Sequence, residues 1–319
     1  MARYYLDFEK PIEELEEKIL KLQSIEDDQD LSAELVKLID RRDNKLREIY
    51  SNLSRWQRVQ LARHPERPFS LDYIEAITTE FVELHGDRSF ADDTALVGGI
   101  GKIDDQSVIL IGQQKGRNTK DNLYRNFGMM RPEGYRKALR LMKLGEKFNI
   151  PIVALVDTPG AYPGIGAEER GQGEAIARNL MEMAKLNVPI LATVIGEGAS
   201  GGALGIAICD RLVMLENTWY SVISPEGCAS ILWHDAKRAP DAADAMKVTP
   251  VDLKEIGICD RIVVETVGGA HRKPDTMTAI LKNVILEELN LIKKDNQDAS
   301  FLESRIQRYE KMGIYQDPE

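Results

Sequence analysis

The sequence predicts an α/β protein built around a largely parallel, buried sheet. Short apolar runs typical of buried strands recur from about residue 95 onwards, and amphipathic helical segments alternate with them. The composition agrees, because 43% of the 319 residues are hydrophobic and 29% are charged, as in ordinary globular proteins. Alternation of this kind makes a doubly wound sheet the default architecture.

The N-terminal segment differs from the rest of the chain. Its first 55 residues contain no glycine and are rich in Glu, Lys, Leu and Ile. Ile12, Leu15 and Ile19 predict one amphipathic helix, residues 27–30 predict a break, and a second helix is expected from about Leu31. Two such short helices cannot bury both apolar seams alone, so they are expected to pack on the main body or on a partner.

A linker and a larger α/β unit follow. Residues 63–68 contain two prolines, which predict a rigid linker, and an apolar helical run is expected over residues 71–84. Residues 1–90 are therefore expected to form a helical arm and linker, and residues 91–319 a single domain that ends in a long helix. The predicted strands are residues 107–112, 151–157, 189–195, 211–215, 220–223 and 260–264. The predicted helices begin at Pro132, span residues 171–186, follow the 189–195 strand as a short Ala/Gly-rich helix, and span residues 275–294.

Three strand–helix loops are unusually rich in glycine: residues 112–117, 157–171 and 196–205. Sites in open α/β sheets form beyond the carboxyl ends of the strands, which is where these loops are expected. Glycine lets a backbone approach a ligand closely. A helix that begins at Gly201 and Gly202 would aim unpaired N–H groups and its positive dipole end into the site. The loops therefore predict a site for an oxyanion.

Composition excludes several functions. The net charge of −10 argues against a protein that coats nucleic acid or anionic lipid. No apolar run reaches the roughly 18 residues of a membrane span, and no signal peptide is visible, so a cytoplasmic location is expected. The widely spaced Cys209, Cys228 and Cys259 predict neither disulfides nor a zinc site. Because no GxxxxGK[ST] pattern occurs, ATP chemistry is not expected in this chain.

A second enzyme class fits one loop. Gly196-x-Gly198-x-x-Gly201 matches the dinucleotide fingerprint, and Glu216 follows about twenty residues later, where a ribose-binding acid would lie. An NAD-dependent dehydrogenase is therefore an alternative. Two observations weigh against it: the fingerprint lies in the middle of the fold after two comparable units, and the helix after it is short.

Two single residues imitate other chemistry. Ser200 starts a helix as a nucleophilic serine would, but His234 and His271 are the only histidines after it, so a turn residue that caps the helix is the better interpretation. Lys247, in Ala-Met-Lys-Val, imitates a biotin-acceptor lysine. Its surroundings predict the start of a helix and not a β-hairpin, so Lys247 is interpreted as an ordinary surface lysine.

Several longer motifs together resemble one family, the carboxyltransferase α subunits of bacterial multisubunit acetyl-CoA carboxylase. The motifs are LDFE at 6–9, GQQKGR at 112–117, NFGM at 126–129, PEGYRKALR at 132–140, DTPGAYPG at 157–164, SGGA at 200–203, YSVISPEGCASILW at 220–233 and GGAHR at 268–272. They cover nearly the whole chain. The sequence differs from the family pattern at Gln113, where His is expected, and at Ala199, where Gly is expected.

The resemblance implies a fold and a set of partners. It replaces the doubly wound sheet by the crotonase (ClpP/crotonase-like) ββα superhelix with a helical N-terminal arm, so that residues 91–319 form the carboxyltransferase domain. It implies transfer of a carboxyl group from carboxybiotin, presented by a biotin carboxyl carrier protein, to acetyl-CoA, giving malonyl-CoA in the first committed step of fatty acid synthesis. It also implies an α₂β₂ assembly with zinc in the β subunit, and ATP use only in the separate biotin carboxylase component. A non-catalytic scaffold for the β subunit is the remaining alternative.

The resemblance also implies roles for the glycine-rich loops. Charge develops on oxygen of biotin and of the thioester, so two sets of backbone donors are needed, one from each subunit. The N–H groups of Gly201 and Gly202 are expected to form the set of this chain. The backbone of Gly160-Ala161 and of Gly164-Ile165 is expected to line the biotin pocket. For Lys115 and Arg117, structural ion pairing and contact with an anionic group remain equal alternatives.

Overall fold

The computed structural model describes residues 3–24, 29–296 and 300–313. The strands in this part of the chain are β1 (Thr79–Glu83), β2 (Leu96–Ile103), β3 (Gln106–Gln113), β4 (Ile152–Thr158), β5 (Ile190–Ala199), β6 (Arg211–Leu215), β7 (Trp219–Ser221) and β8 (Arg261–Val263). The helices are α1 (Lys10–Gln23), α2 (Gln29–Ser51), α3 (Arg55–Ala62), α4 (Ser70–Ile77), α5 (Thr119–Tyr124), α6 (Pro132–Lys147), α7 (Ile165–Glu169), α8 (Gln172–Lys185), α9 (Ser200–Leu204), α10 (Pro225–Trp233), α11 (Ala239–Met246), α12 (Pro250–Glu255), α13 (Pro274–Asp295) and α14 (Phe301–Glu310).

The strands form one sheet whose order follows the chain: β1-β2-β3-β4-β5-β6-β8, with β7 paired to β5. Strands β1 to β3 are antiparallel, and the remaining pairs are parallel. The first half of β5 pairs with β6, and its second half, from Glu197 to Ala199, pairs with β7. The prediction of a largely parallel sheet is therefore confirmed, but the antiparallel start of the sheet was not predicted.

The doubly wound expectation is wrong. A doubly wound sheet reverses its strand order at a switch point, whereas β3 to β6 advance in one direction. Right-handed crossovers that always advance in one direction place their helices on one face of the sheet. Helices α6, α8 and α9 accordingly belong to one core cluster with that face. The chain therefore winds as a superhelix.

Both faces of the sheet are buried at its centre. On β4, Ile152, Ala154 and Val156 pack towards α6 and α8, while Val153 and Leu155 pack towards α4 and α13. All seven residues of β4 and all ten of β5 are buried, which explains why their sequences are almost continuously apolar. The sequence-based positions of these two strands are correct to within a few residues.

The N-terminal arm is helical, as predicted, and it is docked on the body. Helix α1 packs against α2, and Ile12 lies in a cluster with Leu46, Tyr50 and Leu61 of α2 and α3. Helix α2 begins at Gln29, and residues 27 and 28 of the predicted break lie outside the described residues. This cluster lies within residues 1–90, and the arm contacts the body through the ion pairs of Glu9 and Glu16 with Arg272.

Two other segments differ from the sequence interpretation. The helix expected over residues 71–84 ends at Ile77, and β1 follows, starting with β-branched Thr79. The boundary between residues 90 and 91 stays a prediction, although β1 pairs with β2 across it. After the expected last helix, α14 packs on α8, where the buried Arg305 donates to the carbonyl oxygens of Met183, Leu186 and Val188.

Candidate active site

The three glycine-rich loops meet at the carboxyl ends of β3, β4 and β5, as predicted. These strands are neighbours in the sheet. The side-chain amide of Gln113 joins the loops: its Oε1 accepts from the Asp157 N–H at 3.1 Å, and its Nε2 donates to the Gly202 carbonyl oxygen at 2.7 Å. The residue at which the sequence departs from the family pattern thus bridges two of the loops.

Gly202 is required by close packing. A Cβ added there would lie 2.3 Å from the carbonyl carbon of Gly160 and 2.6 Å from the nitrogen of Ala161. A side chain at this position would therefore force the β4 and β5 loops apart. At Gly201, by contrast, an added Cβ would meet only Ile176, at an ordinary contact distance of 3.6 Å.

A chain of charged side chains, buried at Asp157 and Glu197 and half-buried at its Arg63 and Glu226 end, lies at these loops. Lys115 Nζ is 2.7 Å from both Asp157 Oδ1 and Glu197 Oε2. Arg63 of the predicted linker reaches Glu197 and also pairs with Glu226 on α10. The Glu197 N–H donates to Asp157 Oδ1 at 3.0 Å. We call Arg63, Lys115, Asp157, Glu197 and Glu226 the strand-end network.

The pKa values of the strand-end network follow from burial and pairing. Burial opposes ionisation of Lys115, but attraction to the carboxylates of Asp157 and Glu197 outweighs it and raises the pKa of Lys115. Burial also works against ionised Glu197, yet Lys115 and Arg63 lower its pKa. For Asp157, burial dominates and raises the pKa. The network is thus a set of mutually dependent charges.

An apolar cavity of about 700 Å³ opens beside Gly201. Its walls come from the start of α9, the end of β7 and helices α11 and α12. The lining residues are Ser200, Gly201, Leu204, Tyr220, Ser221, Val222, Met246, Lys247, Val248, Asp252, Leu253, Glu255, Ile256 and Ile258. A cavity of this size with mainly apolar walls and a few polar groups is typical of a small-molecule site.

The sequence-predicted residues are distributed around this region. Gly201 lines the apolar cavity, while Gly202 is buried behind it against Gly160 and Ala161. Lys115 lines a second, smaller cavity of about 320 Å³, together with Arg117, Pro159 and Glu197.

Gly164 and Ile165 lie in neither of these two cavities. Gly164 precedes α7 and lies against the ring of Tyr162. Ile165 is 79% exposed.

Arg117 is engaged by neighbouring groups of the chain. Its guanidinium donates to the carbonyl oxygens of Pro65, at 3.1 Å, and Arg67, at 2.8 Å, and pairs with Asp72. The same guanidinium lies 4.0 Å from the centre of the Phe69 ring. These contacts hold the predicted linker against the β3 loop.

The dehydrogenase alternative is not supported. An added Cβ at Gly196 would lie 2.3 Å from Asp157 Oδ1, and one at Gly198 would lie 2.4 Å from the Tyr220 ring. The first two glycines of the fingerprint are thus required by internal packing. Glu216 accepts from the Glu265 N–H at 3.1 Å and lies 3.7 Å from Arg58.

Ser200 adopts a left-handed backbone conformation, with φ of 58°, at the sharp turn from β5 into α9. The residue before the helix is Ala199, and no side chain caps the helix. The interpretation of Ser200 as a cap is therefore wrong, although its position in a turn is correct. Of the two histidines weighed as its partners, His271 stacks on His64 with ring centres 3.8 Å apart.

Two features of the site were missed from the sequence. Lys247 is exposed, as expected of a surface lysine, but its position on the wall of the apolar cavity was not predicted. The pairing of Arg63 with Glu197 spans 134 positions, so no local pattern reports it. Its one sequence signal is an acidic residue between Gly196 and Gly198 in an otherwise apolar and small-residue run.

The described residues contain no group of three or more His, Cys, Asp or Glu side chains that could hold a metal ion. The three cysteines are free thiols, and Cys209 and Cys259 are buried. Over the same part of the chain, no helix has the length and apolar character needed to cross a membrane.

Several solved structures share the fold of this chain. Transcarboxylase 12S, solved with methylmalonyl-coenzyme A, matches with a TM-score of 0.56 and 18% identity, over 79% of this chain and 44% of that one. A Pseudomonas malonate decarboxylase hetero-tetramer in complex with coenzyme A matches with a TM-score of 0.58 and 17% identity, over 74% of this chain and 92% of that one. The fold is therefore that of the crotonase-like carboxyltransferase domains.

Sequence relatives narrow this class to a family. Residues 5–313 match the family described as acetyl co-enzyme A carboxylase carboxyltransferase-like. Proteins named acetyl-coenzyme A carboxylase carboxyl transferase subunit alpha are 53% identical in Chlorobaculum parvum, over 100% of this chain and 99% of the relative, and 56% identical in Geobacter metallireducens, over 98% and 99%. The chain belongs to this family of carboxyltransferase α subunits. The resemblance inferred from the motifs and the crotonase-like fold are both confirmed.

Proposed function

We propose that this chain, as the α subunit of an acetyl-CoA carboxylase carboxyltransferase, transfers the carboxyl group of carboxybiotin to acetyl-CoA and so gives malonyl-CoA. This is the first committed step of fatty acid synthesis. Family membership supports the reaction class. The observation that carries the site is the apolar cavity beside Gly201, at the point where α9 begins.

The residues of the cavity fit the biotin group. Biotin combines an apolar bicyclic body with a polar ureido edge, so it needs apolar walls and a few directed donors. Leu204, Val222, Met246 and Val248 supply apolar walls. The first N–H groups of a helix have no acceptor within the helix, and those of α9 begin at this wall.

Carboxybiotin supplies an activated carboxyl group when it is presented by its carrier protein. The N–H groups of Gly201 and Gly202 are proposed to donate to the oxygen that gains negative charge as the carboxyl group leaves. Gly160 and Ala161 lie against Gly202 and are proposed to hold that backbone and to line the biotin pocket. The backbone of Gly164 and Ile165 is also proposed to line the biotin pocket, on the family resemblance alone, since neither residue lines the apolar cavity of this chain.

The surface around the cavity supports completion of the site by another subunit. Val222 is 83% exposed at the edge of the cavity, and Ile231 and Leu232 of the adjacent α10 are 67% and 62% exposed. Clustered exposed apolar side chains are typical of interaction surfaces. We assign this surface to a β subunit in an α₂β₂ assembly.

The other components are proposed on the same basis. The β subunit would hold the zinc site and the donors for the thioester of acetyl-CoA. ATP would be used only by the separate biotin carboxylase. All these components, including the biotin carboxyl carrier protein, are proposed to act in the cytoplasm. No membrane or nucleic-acid partner is proposed for this chain.

Deleting one backbone donor tests the proposed role of α9. Gly201→Pro removes the Gly201 N–H, and Ser200→Gly is made in the same chain because a left-handed residue is unfavourable before proline. We expect the double variant to lose about 10²–10³-fold in kcat for carboxyl transfer, the usual effect of losing one oxyanion donor. The measurement is malonyl-CoA formation by the assembled enzyme.

Matched controls separate the lost donor from altered packing. Ser200→Gly alone and Ser200→Gly with Gly201→Ala keep the N–H, and the alanine methyl meets only Ile176 at 3.6 Å. Both are expected to retain turnover within a few-fold. Retained turnover in the assembled proline variant would contradict the donor role and favour the non-catalytic scaffold.

A reconstitution experiment tests the two-subunit site. The chain alone is expected to make no malonyl-CoA from carboxybiotin and acetyl-CoA, and addition of the β subunit is expected to restore turnover. Full activity of the chain alone would show that its own residues complete the site.

A further inference from the structure

A second cavity, separate from the proposed active site, lies where the N-terminal arm meets the body. Its volume is about 330 Å³, and it shares no lining residue with the two cavities at the strand ends. The arm contributes Arg3, Glu16, Arg42, Asp43, Leu46 and Arg47, and the body contributes Val267, Arg272 and Lys273. We call these nine residues the arm–body cleft.

The arm–body cleft concentrates positive charge in a chain whose net charge is −10. Five of its nine lining residues are Arg or Lys, and two are acidic. Both acids are already engaged. Glu16 lies 2.8 Å from Arg272 and 3.3 Å from Arg3, and Asp43 pairs with Arg42 at 2.6 Å.

The other cations of the cleft either share a carboxylate or have no carboxylate partner among the described residues. Arg42 also reaches Glu16, at 3.7 Å, so this one carboxylate faces three guanidinium groups. Arg47 donates to the amide oxygen of Asn44 at 3.3 Å. Lys273 adds an ammonium group on the opposite wall. Glu9, Glu16 and Asp43 offset the charges of Arg3, Arg42 and Arg272. Among the described residues, the surplus positive charge of the cleft is therefore that of Arg47 and Lys273, and like charges repel one another unless an anion lies between them.

Arg272 supplies a second, independent observation. Its side chain is only 8% exposed, and its Nε–H has no acceptor among the described residues. A buried donor without an acceptor is uncommon in folded proteins and costs free energy. Two of its nitrogens are held by Glu9 and Glu16, so the guanidinium is fixed in place on the wall of the cleft.

We propose that the arm–body cleft binds a small anion that carries a diphosphate group. Arginine forks match the oxygens of phosphate in paired hydrogen bonds, and several converging arginines suit a multiply charged oxyanion. The cavity, at the lower end of the range for ligand sites, has room for such a group.

Binding in the cleft would couple the arm to the body. Arg3, Arg42 and Arg47 belong to the arm, while Arg272 and Lys273 follow the Gly268-Gly269 turn of the body. An anion held by both sets links segments more than 200 positions apart in the sequence. The inference does not rest on the carboxyltransferase activity, so it can fail or succeed independently of it.

Inorganic pyrophosphate is the probe for this proposal. We expect saturable binding by the full-length chain in isothermal titration calorimetry, a higher thermal unfolding midpoint, and slower amide hydrogen exchange in α1. The double variant Arg47→Gln/Lys273→Gln is expected to bind about tenfold more weakly, or worse, because it removes two charged donors. Both side chains are exposed, so the variant is expected to fold.

A charge-matched control lies on the same arm. Lys37→Gln/Arg41→Gln also removes two positive charges, but these residues line a different cleft, between α1 and α2. It is expected to bind pyrophosphate as the parent chain does. No saturable binding, or an equal loss in both double variants, would overturn the proposal.

Competition distinguishes the sources of the diphosphate group. Displacement of pyrophosphate by ADP or by coenzyme A would assign the cleft to a nucleotide-bearing ligand. Binding of pyrophosphate that neither compound displaces would assign it to an inorganic diphosphate. Either result supports a diphosphate site, and the choice between them names its occupant.

Discussion

The strand-end network and the arm–body cleft use the same residue types in opposite ways. In the network, Lys115 contacts two carboxylates, those of Asp157 and Glu197, and it is almost fully enclosed. In the cleft, five cations line the cavity, and only three carboxylates, those of Glu9, Glu16 and Asp43, pair with them among the described residues. In the strand-end network the buried charges pair with one another and hold the loops in place. In the arm–body cleft the cations outnumber the carboxylates, so an anionic ligand can still bind there.

The two regions also differ in what holds them. The network joins the ends of adjacent parallel strands, so the sheet itself places Lys115, Asp157 and Glu197 within reach of one another. The cleft joins an arm to a distant loop, and its geometry depends on how the arm docks. We therefore expect damage to the network to cost more stability than any change at the arm–body joint.

The largest expected effect comes from Lys115→Met. This change leaves Asp157 and Glu197 buried side by side without the cation between them. Breaking a buried ion pair from one side typically costs about 3–5 kcal/mol, so we expect a loss of this size in the free energy of unfolding, measured by urea denaturation at pH 7.

The control for this change is Lys102→Met, which removes an exposed lysine paired with Glu80 on the neighbouring strand. It is expected to change stability little, because exposed pairs are weak. If Lys115→Met is no more destabilising than Lys102→Met, the strand-end network is not a stabilising unit, and the contrast between the two regions disappears.

The sequence predicts the sheet far better than it predicts either charge cluster. Strands β4 and β5 were located because burial on both faces makes them continuously apolar, a local property. β2 was missed because three glycines interrupt its apolar pattern. These glycines are needed for close packing with residues distant in the sequence: a Cβ added at Gly98 would lie 2.7 Å from Leu141, and one added at Gly99 would lie 2.0 Å from Val82.

In the candidate site too, features that depend on contiguous residues were predicted, and contacts between distant residues were not. Gly202 was predicted because the strand–glycine–helix pattern is contiguous in the sequence. The partner of Lys115 could not be chosen from the sequence, because Glu197 lies 82 positions away and becomes a neighbour only when β3, β4 and β5 align. Likewise, the Ala-Met-Lys-Val run gave no sign that Lys247 would line the cavity.

The next largest expected effect is a loss of stability at acidic pH caused by His271, which lies where the arm meets the body. Burial, with repulsion from His64 and Arg272, lowers the pKa of His271 to about 2. The unfolded chain, with an ordinary pKa near 6.5, therefore binds a proton that the folded chain does not. Above pH 6.5 His271 is neutral in both states and does not affect the free energy of unfolding. As the pH falls from 6.5 towards 2, protonation of the unfolded chain lowers that free energy, by about 2 kcal/mol at pH 5.

The variant His271→Phe keeps an aromatic ring against His64 and removes the titrating group. We expect the loss of unfolding free energy between pH 7 and pH 5 to be about 2 kcal/mol smaller in this variant than in the parent chain. His234→Phe, a change at the exposed end of α10, is the control and should leave the difference as in the parent. Equal pH dependence in all three chains would contradict a neutral, buried His271.

The smallest expected effect settles the alternative left open for Arg117, beside the strand-end network. Its guanidinium already contacts two carbonyl oxygens, Asp72 and the Phe69 ring. We therefore expect Arg117→Gln to lower the free energy of unfolding by about 1 kcal/mol and to leave KM for both substrates unchanged.

Arg238→Gln is a matched control, since Arg238 pairs with Asp241 and lies 4.1 Å from the Trp233 ring. A rise in KM of about tenfold with Arg117→Gln but not with Arg238→Gln would correspond to roughly 1.4 kcal/mol of substrate binding. That result would make Arg117 a substrate contact, and the cavity at Lys115 would then belong to the active site rather than to its support.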